Sequence, residues 1–267
     1  MSKTVGFIGG GNMASAMMGG MIKYGFERKD IWASDTSEAA LTRLQNELNI
    51  NVTSDNCEVA KNSDVLFLAV KPHIYPIVIE QVKNCVKEGC IVIVIAAGQS
   101  IAYVKEAFGR DIKVVRTMPN TPALVSEGMT AVCPDTTLTK EDIDLVLSIF
   151  RSFGKAEIVP ESMMEAVTAV SGSSPAYTFM YIEALADGAV AAGMPRAMAY
   201  TFAAQAVLGA AKMVLETGMH PGALKDMVCS PGGTTIEAVA ALEKEGLRNA
   251  VMCGMKACVE KTQKMNK

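Results

Sequence analysis

Residues 5–22, VGFIGGGNMASAMMGGMI, decide the fold. A short apolar run meets a glycine cluster, and a helix-forming stretch of Ala and Met follows at once. Gly9, Gly11 and Ala14 stand in the order G-x-G-x-x-A between a strand and a helix. Gly9 permits the tight turn, Gly11 lets backbone approach a pyrophosphate, and the small Ala14 lets the helix pack close to the sheet. The first turn of the helix, with Asn12 and Met13, offers N–H groups to the anion. The pattern predicts a dinucleotide cradle, with Gly19 and Gly20 further along the helix serving only close packing.

Working outward, the second strand ends in IWASDTS, and Asp35 lies 26 residues beyond Gly9, where a ribose-binding acid belongs. A carboxylate facing the 2′-phosphate of NADP costs about 1–4 kcal/mol at 4 Å, depending on effective dielectric, which favours NAD. Ser34, Thr36 and Ser37 leave NADP open if Asp35 turns away. Later strands deliver further residues to the crevice at their carboxyl ends. FLAVKPH brings Val70, Lys71 and Pro72, VIAAGQS brings Ala96, Ala97 and Gly98, and RTMPNTP brings Met118, Pro119, Asn120 and Thr121.

From Val5 to about Val159 the chain alternates strand-like runs with helical ones, the grammar of βα units around a parallel sheet. The strand candidates are VGFI, IWAS, DVLFLAV, CIVIVIA, IKVVRT and MTAVC, several apolar at nearly every position, as strands covered on both faces require. Helices are expected at 37–46, 74–86 and 140–153. After about Pro160 the text turns rich in Ala, Met and Leu, with Pro195, Pro221 and Pro231 as punctuation, and helices are expected at 174–193, 195–217, 222–228, 234–244 and 247–264. The fold class is therefore α/β: a Rossmann-type parallel sheet in residues 1–160, then an all-helical domain in 161–267. Helices this poor in charge, with Ala184, Gly188 and Ala191 at small-residue spacing, read either as a bundle core or as a subunit interface.

The chain has 267 residues, half of them hydrophobic, and a net charge of −3, with Lys and Arg scattered. That balance argues against disorder and against a nucleic-acid surface. The first strand begins too early for a secretory leader, and Glu183, Asp187, Arg196 and Lys212 interrupt the apolar region 174–216, so a cytoplasmic protein without a membrane span is expected. Seven cysteines without a Cys-x-x-Cys read as reduced thiols, most of them small core residues, Cys229 among them. With two histidines, no metal site is expected.

A ketone reductase must protonate a developing alkoxide, commonly from Lys or His. No Lys occurs from Ala156 to Ala211, and His220 in HPG reads as a turn or cap residue. An imine tolerates that absence, because its nitrogen is protonated before hydride arrives and a hydroxyl suffices to orient it. The run SPGGTT, Ser230 to Thr235, breaks the helical text. Thr234, three residues before Glu237, fits a capping box, and the glycines free the backbone to approach an anion.

HPGALKDMVCSPGGTTIEAVAALE, together with SGSSPAY, AVKPH, MPNTP and GFIGGGNM, closely resembles the pyrroline-5-carboxylate reductase family across essentially the whole chain. The resemblance implies reduction of 1-pyrroline-5-carboxylate to L-proline by NADPH or NADH. It implies substrate contacts at Ser230, Gly232, Gly233 and Thr234, with Thr235 as the catalytic hydroxyl at the ring nitrogen, and an acidic neighbour in Glu161. Asn56 and Ala97 match cofactor contacts. The family's helical domains intertwine between subunits, with the active site between one subunit's Rossmann domain and the paired helices, which implies a homodimer or a higher homo-oligomer such as a decamer. Asp35 departs from the Ser of some relatives, and Met227 replaces an Asn. A reductase of a related cyclic imine, a 3-hydroxyacid dehydrogenase and a non-catalytic nucleotide sensor stand as alternatives.

Overall fold

The computed structural model describes residues 3–265. Its packing divides the chain into two compact units, one running through Ser173 and resuming at Cys258, the other Ser174–Ala257.

The first unit is built on one eight-stranded sheet in the order β3-β2-β1-β4-β5-β6-β7-β8. The strands are β1 (Val5–Ile8), β2 (Ile31–Ser34), β3 (Asn51–Thr53), β4 (Val65–Leu68), β5 (Ile91–Val94), β6 (Lys113–Met118), β7 (Gly128–Pro134) and β8 (Gly154–Ile158). Between them run α1 (Asn12–Tyr24), α2 (Glu38–Leu48), α3 (Asn56–Asn62), α4 (Tyr75–Val82), α5 (Ile101–Phe108) and α6 (Lys140–Arg151). Strand β4 shows why the run VLFL is apolar throughout. Val65 and Phe67 enter one core with α1, α2 and α6, while Leu66 and Leu68 enter the other with α3, α4 and α5.

Three features depart from the sequence reading. Strands β3 and β8 were not expected: NVT and GKAEI are polar edge segments, and in β8 only Ala156 is buried. The sheet is not wholly parallel. Strands β6 and β7 pair antiparallel, because the connection between them carries only a single 3₁₀ turn, Thr121–Val125, and has no crossover helix. Strand β8 then pairs parallel with β7. The cysteines are not all reduced core residues either. Cys57 and Cys85 form a disulfide across a Cα separation of 5.4 Å. Cys90 and Cys133 are buried thiols, Cys253 is exposed, and Cys229 is only partly buried. Desolvation pushes the Cys90 thiol up to about 12, so it stays protonated as a packing group.

Segment 161–173 packs with the sheet. Met164, at the start of the short α7 (Met164–Val167), joins Ala131 and Cys133 in a small core, and a Cβ at Gly172 would fall 2.5 Å from Met118 Cε. By packing, the compact unit that holds the sheet extends through Ser173.

The second unit is helical: α8 (Ser174–Ala191), α9 (Arg196–Thr217), α10 (Pro221–Val228), α11 (Thr234–Lys244) and the first part of α12 (Leu247–Met265). Its core within one chain is small, centred on Ala186, Ala199 and Ala203. Ala184, Gly188 and Ala191 lie outside it and are exposed. Phe179, Met180 and Phe202 are each more than 60% exposed, which no bundle core explains. Among the described residues α9 is the one helix long and apolar enough to cross a bilayer.

An aromatic chain ties α6 and α1 to the sheet. Phe7 and Phe67 stack at 4.4 Å, Phe150 meets Phe67 edge-on, and Phe153 meets Phe150. Gly20 lies against its end, where a Cβ would sit 2.5 Å from Phe153 Cβ, whereas one at Gly19 would meet Leu48 at an ordinary 3.9 Å. Gly20→Ala is expected to destabilise the protein by about 1–3 kcal/mol through overpacking. Gly19→Ala should be neutral or stabilising by up to ~1 kcal/mol. Urea midpoints compare the two, and equal stability of both variants with the parent would remove the packing role of Gly20.

Candidate functional site

The turn after β1 is where three strands meet. Gly9 stands at φ +105° and donates its N–H to Ser34 O at 2.8 Å, while Ala69 N–H reaches back to Ile8 O at 2.8 Å. A Cβ on Gly9 would lie 2.5 Å from the Ala69 carbonyl oxygen. Only glycine combines that backbone conformation with that contact. Ala14, 1% exposed, lets α1 pack close to the sheet. Gly11 differs: a Cβ there would meet no heavy atom within 4 Å, so its smallness keeps open space at the start of α1. Gly11 is the N-cap of that helix and no side chain caps it, which leaves the first-turn N–H groups available to an anion.

That space is part of a cleft of about 1450 Å³ at the carboxyl ends of the strands. All eleven expected cofactor residues line it. Gly9, Gly11, Asn12 and Met13 come from the turn and α1, Ser34 and Asp35 from the end of β2, Asn56 from α3, Val70 and Lys71 from the segment after β4, Ala97 from the one after β5, and Asn120 from the one after β6.

Several of these side chains are already fixed by the protein. Ser34 is fully buried and its hydroxyl donates to Asn56 Oδ1 at 2.7 Å, while Asn56 Nδ2 donates to Gln81 Oε1 at 2.7 Å. Gln81 also lines the cleft and was not foreseen, for nothing in a polar residue of a surface helix marks it. Asp35 Oδ2 accepts the Gly10 N–H at 2.8 Å and Oδ1 the Ser37 N–H at 2.9 Å. Asn120, 8% exposed, donates to Ser171 O and accepts the Met129 N–H, so its amide braces the wall and leaves mainly its surface to a ligand. Tyr75 supports the segment after β4: its hydroxyl donates to Leu68 O at 2.7 Å, and burial pushes the phenol above the tyrosine range, so it remains a donor.

Glu161 does not line the cleft. Its Oε1 accepts the Ile101 N–H at 3.0 Å and pairs with Arg116 at 3.1 Å. Arg116 is 6% exposed, and a guanidinium buried that deeply needs a partner.

In the helical unit, Ser230, Gly232, Gly233, Thr234 and Thr235 form the turn into α11. Gly232 is at φ +66°, and Gly233 N–H closes the turn on Ser230 O at 3.0 Å. The expected capping box is absent, because the N-cap is Gly233 and Thr234 already lies inside the helix. No side chain caps α11, so the N–H groups of its first turn have no hydroxyl partner. His220, in contrast, is a cap: its Nδ1 accepts the Gly222 N–H at 3.0 Å.

Comparison with known proteins matches the two ends of the chain to two families. Residues 161–265 match the model of the pyrroline-5-carboxylate reductase dimerisation family, and residues 4–98 that of the coenzyme F420-dependent NADP oxidoreductases. The chain is 52% identical to the pyrroline-5-carboxylate reductase of Escherichia coli (strain K12), covering 100% of both sequences. A solved pyrroline-5-carboxylate reductase from Coxiella burnetii superposes with a TM-score of 0.93 at 36% identity, covering 100% of both chains. The Plasmodium falciparum enzyme, solved with NADP bound, does so at 0.90 and 31% identity, over 99% of this chain and 98% of that one.

Gly9 and Gly11 separate fold from binding. Gly9→Ala is expected to lower stability by about 1–3 kcal/mol, from backbone strain and the Ala69 contact, and to lose dinucleotide binding with it. Gly11→Ala should leave the melting temperature within a degree or two of the parent and weaken dinucleotide affinity roughly tenfold or more, a loss of about 1.4 kcal/mol. Differential scanning fluorimetry and calorimetric titration measure the two, and unchanged affinity in Gly11→Ala would clear the cleft of that role.

Proposed function

The chain belongs to the pyrroline-5-carboxylate reductase family, and we infer from that membership and the site's geometry that it is an NAD(P)H-dependent imine reductase. It converts 1-pyrroline-5-carboxylate to L-proline, the closing step of proline biosynthesis. The observation that carries the reading is the start of α11, where two glycines precede a helix that no side chain caps and a threonine hydroxyl follows.

The cleft fits a dinucleotide. Its floor is kept open at Gly11, the uncapped first turn of α1 suits a pyrophosphate, and the two anchored residues Ser34 and Asn56 stand beside the carboxylate of Asp35. Met13, Val70, Lys71, Ala97 and Asn120 form the remaining walls. NAD(P)H, when bound, supplies the hydride that the imine carbon accepts.

For the substrate, the turn Ser230–Thr235 offers what a small cyclic amino acid needs. Gly232 and Gly233 keep side chains out of the way of a carboxylate, and the N–H groups around Thr234 donate to it. The Thr235 hydroxyl orients the ring nitrogen, which is already protonated, so the step discharges a cation and generates no alkoxide. His220 serves as the N-cap of α10, its Nδ1 accepting the Gly222 N–H. Glu161 acts as a positioning residue, holding Ile101 and with it the segment that carries Ala97. The exposed apolar side chains of α8 and α9 are covered by a second copy of the chain in a homodimer, or in a larger assembly of such dimers up to a decamer, in the cytoplasm.

Purified protein with pyrroline-5-carboxylate is expected to oxidise NADH or NADPH, followed at 340 nm, and no oxidation with either would overturn the assignment. Thr235→Ala is expected to lower kcat roughly 10-fold or more, about 1.4 kcal/mol of transition-state stabilisation, while Thr235→Ser keeps most of it. A kcat within twofold of the parent for Thr235→Ala would remove the hydroxyl from the chemistry. Light scattering is expected to give a multiple of the 28.3 kDa chain mass, and a monomer would contradict the covered face.

A further inference from the structure

We propose that Asp35 makes this enzyme selective for NADH over NADPH, because the protein holds its carboxylate in place at the ribose end of the cleft, where a 2′-phosphate would have to sit beside it. The proposal rests on reading the cleft as the dinucleotide site.

The sequence alone leaves two arrangements possible. In one, Asp35 faces the ribose. In the other it turns out and Ser34, Thr36 and Ser37 receive a 2′-phosphate. The structure separates them. Both carboxylate oxygens of Asp35 are engaged on backbone N–H groups, Oδ2 on Gly10 at 2.8 Å and Oδ1 on Ser37 at 2.9 Å. Turning the side chain away would forfeit two charge-assisted hydrogen bonds, one of them to the glycine turn itself. The charge is thereby fixed within the cleft that Asp35 lines.

Of the serines on either side, Ser34 has its hydroxyl proton committed and Ser37 does not line the cleft. The Ser34 hydroxyl is fully buried and donates to Asn56 Oδ1. Ser37 caps α2, its oxygen accepting the Ala40 N–H at 3.3 Å, and lies outside the cleft lining. Thr36 remains exposed, and a lone threonine hydroxyl beside a fixed carboxylate is a poor site for a dianionic phosphate. Arg43 is the cation tied to the glycine turn, its Nη2 donating to Gly10 O at 2.8 Å and Ser15 Oγ at 3.2 Å, and it does not line the cleft. What remains suits the 2′- and 3′-hydroxyls of an NAD ribose: an acceptor oxygen that keeps lone pairs beyond the N–H bonds it already receives.

The test uses the full-length protein and needs no substrate. NADH and NADPH are titrated separately, with binding read from calorimetry and from energy transfer between Trp32, the chain's one tryptophan, and the reduced nicotinamide. NADH is expected to bind roughly tenfold or more tightly than NADPH. Asp35→Ser and Asp35→Asn should narrow that ratio by strengthening NADPH binding, and kcat/KM with each cofactor should follow. Binding of both, with NADPH equal or tighter in the unaltered protein, overturns the proposal and leaves the cleft assignment standing. Binding of neither overturns the cleft assignment and the proposal with it. A preference for NADH that survives unchanged in both variants shows that Asp35 is not its source.

Discussion

Everything at the ligand end of the sheet depends on one residue's inability to carry a side chain. Gly9 sits at φ +105°, with its N–H on the last carbonyl of β2 and the carbonyl of Ala69 pressed against the place where a Cβ would be. The ends of β1, β2 and β4 therefore converge at one point. Because they do, the residues that follow each strand open into the same cleft: Gly11, Asp35 and Val70 are far apart in sequence and share a wall in space. The cleft follows from strand order and from one close backbone contact, and the remaining strands extend it.

This dependence explains how much of the molecule was legible in the sequence. A strand buried on both faces has no polar positions to hide, so VLFL and IVIV announce themselves, and the helix after a G-x-G-x-x-A turn is placed by the glycine that makes the turn. The eleven residues expected around a cofactor follow once the strand ends are known, and all line the one cleft. Strands β3 and β8 were not legible because edge strands gain their order from one neighbour and bury little: NVT has no fully buried residue and GKAEI has one. The reversal between β6 and β7 is a property of a short connection, which composition does not encode. The Cys57–Cys85 pair was hidden for a related reason, since its partners are 28 residues apart and meet only after α3 and α4 are packed.

The helical unit shows the opposite relation. Its helices were placed within a few residues from proline positions and composition, yet what they pack on was left open between a bundle core and a subunit interface. Within one chain α8 buries only Ala186 and α9 only Ala199 and Ala203. A hydrophobic core that small cannot offset the conformational entropy of two helices of this length. Large apolar side chains on both helices stay in solvent unless another surface covers them, and that excess is what a chain of a dimerisation family carries.

The start of α11 makes the last link between stability and chemistry. For stability alone, a Ser, Thr, Asn or Asp at the N-cap is the better choice, since its side-chain oxygen satisfies one of the orphan N–H groups. This chain has the hydroxyls at hand and places them one and two positions too late: Gly233 takes the N-cap, and Thr234 and Thr235 fall inside the helix where they cannot cap it. Glycine at an N-cap costs only a few tenths of a kcal/mol relative to those residues, so the fold loses little. What it gains is an uncovered set of donors behind a flexible pair of glycines, with a hydroxyl beside them. A cap would occupy the N–H groups assigned above to the proposed substrate carboxylate, and the one-residue offset leaves them uncapped.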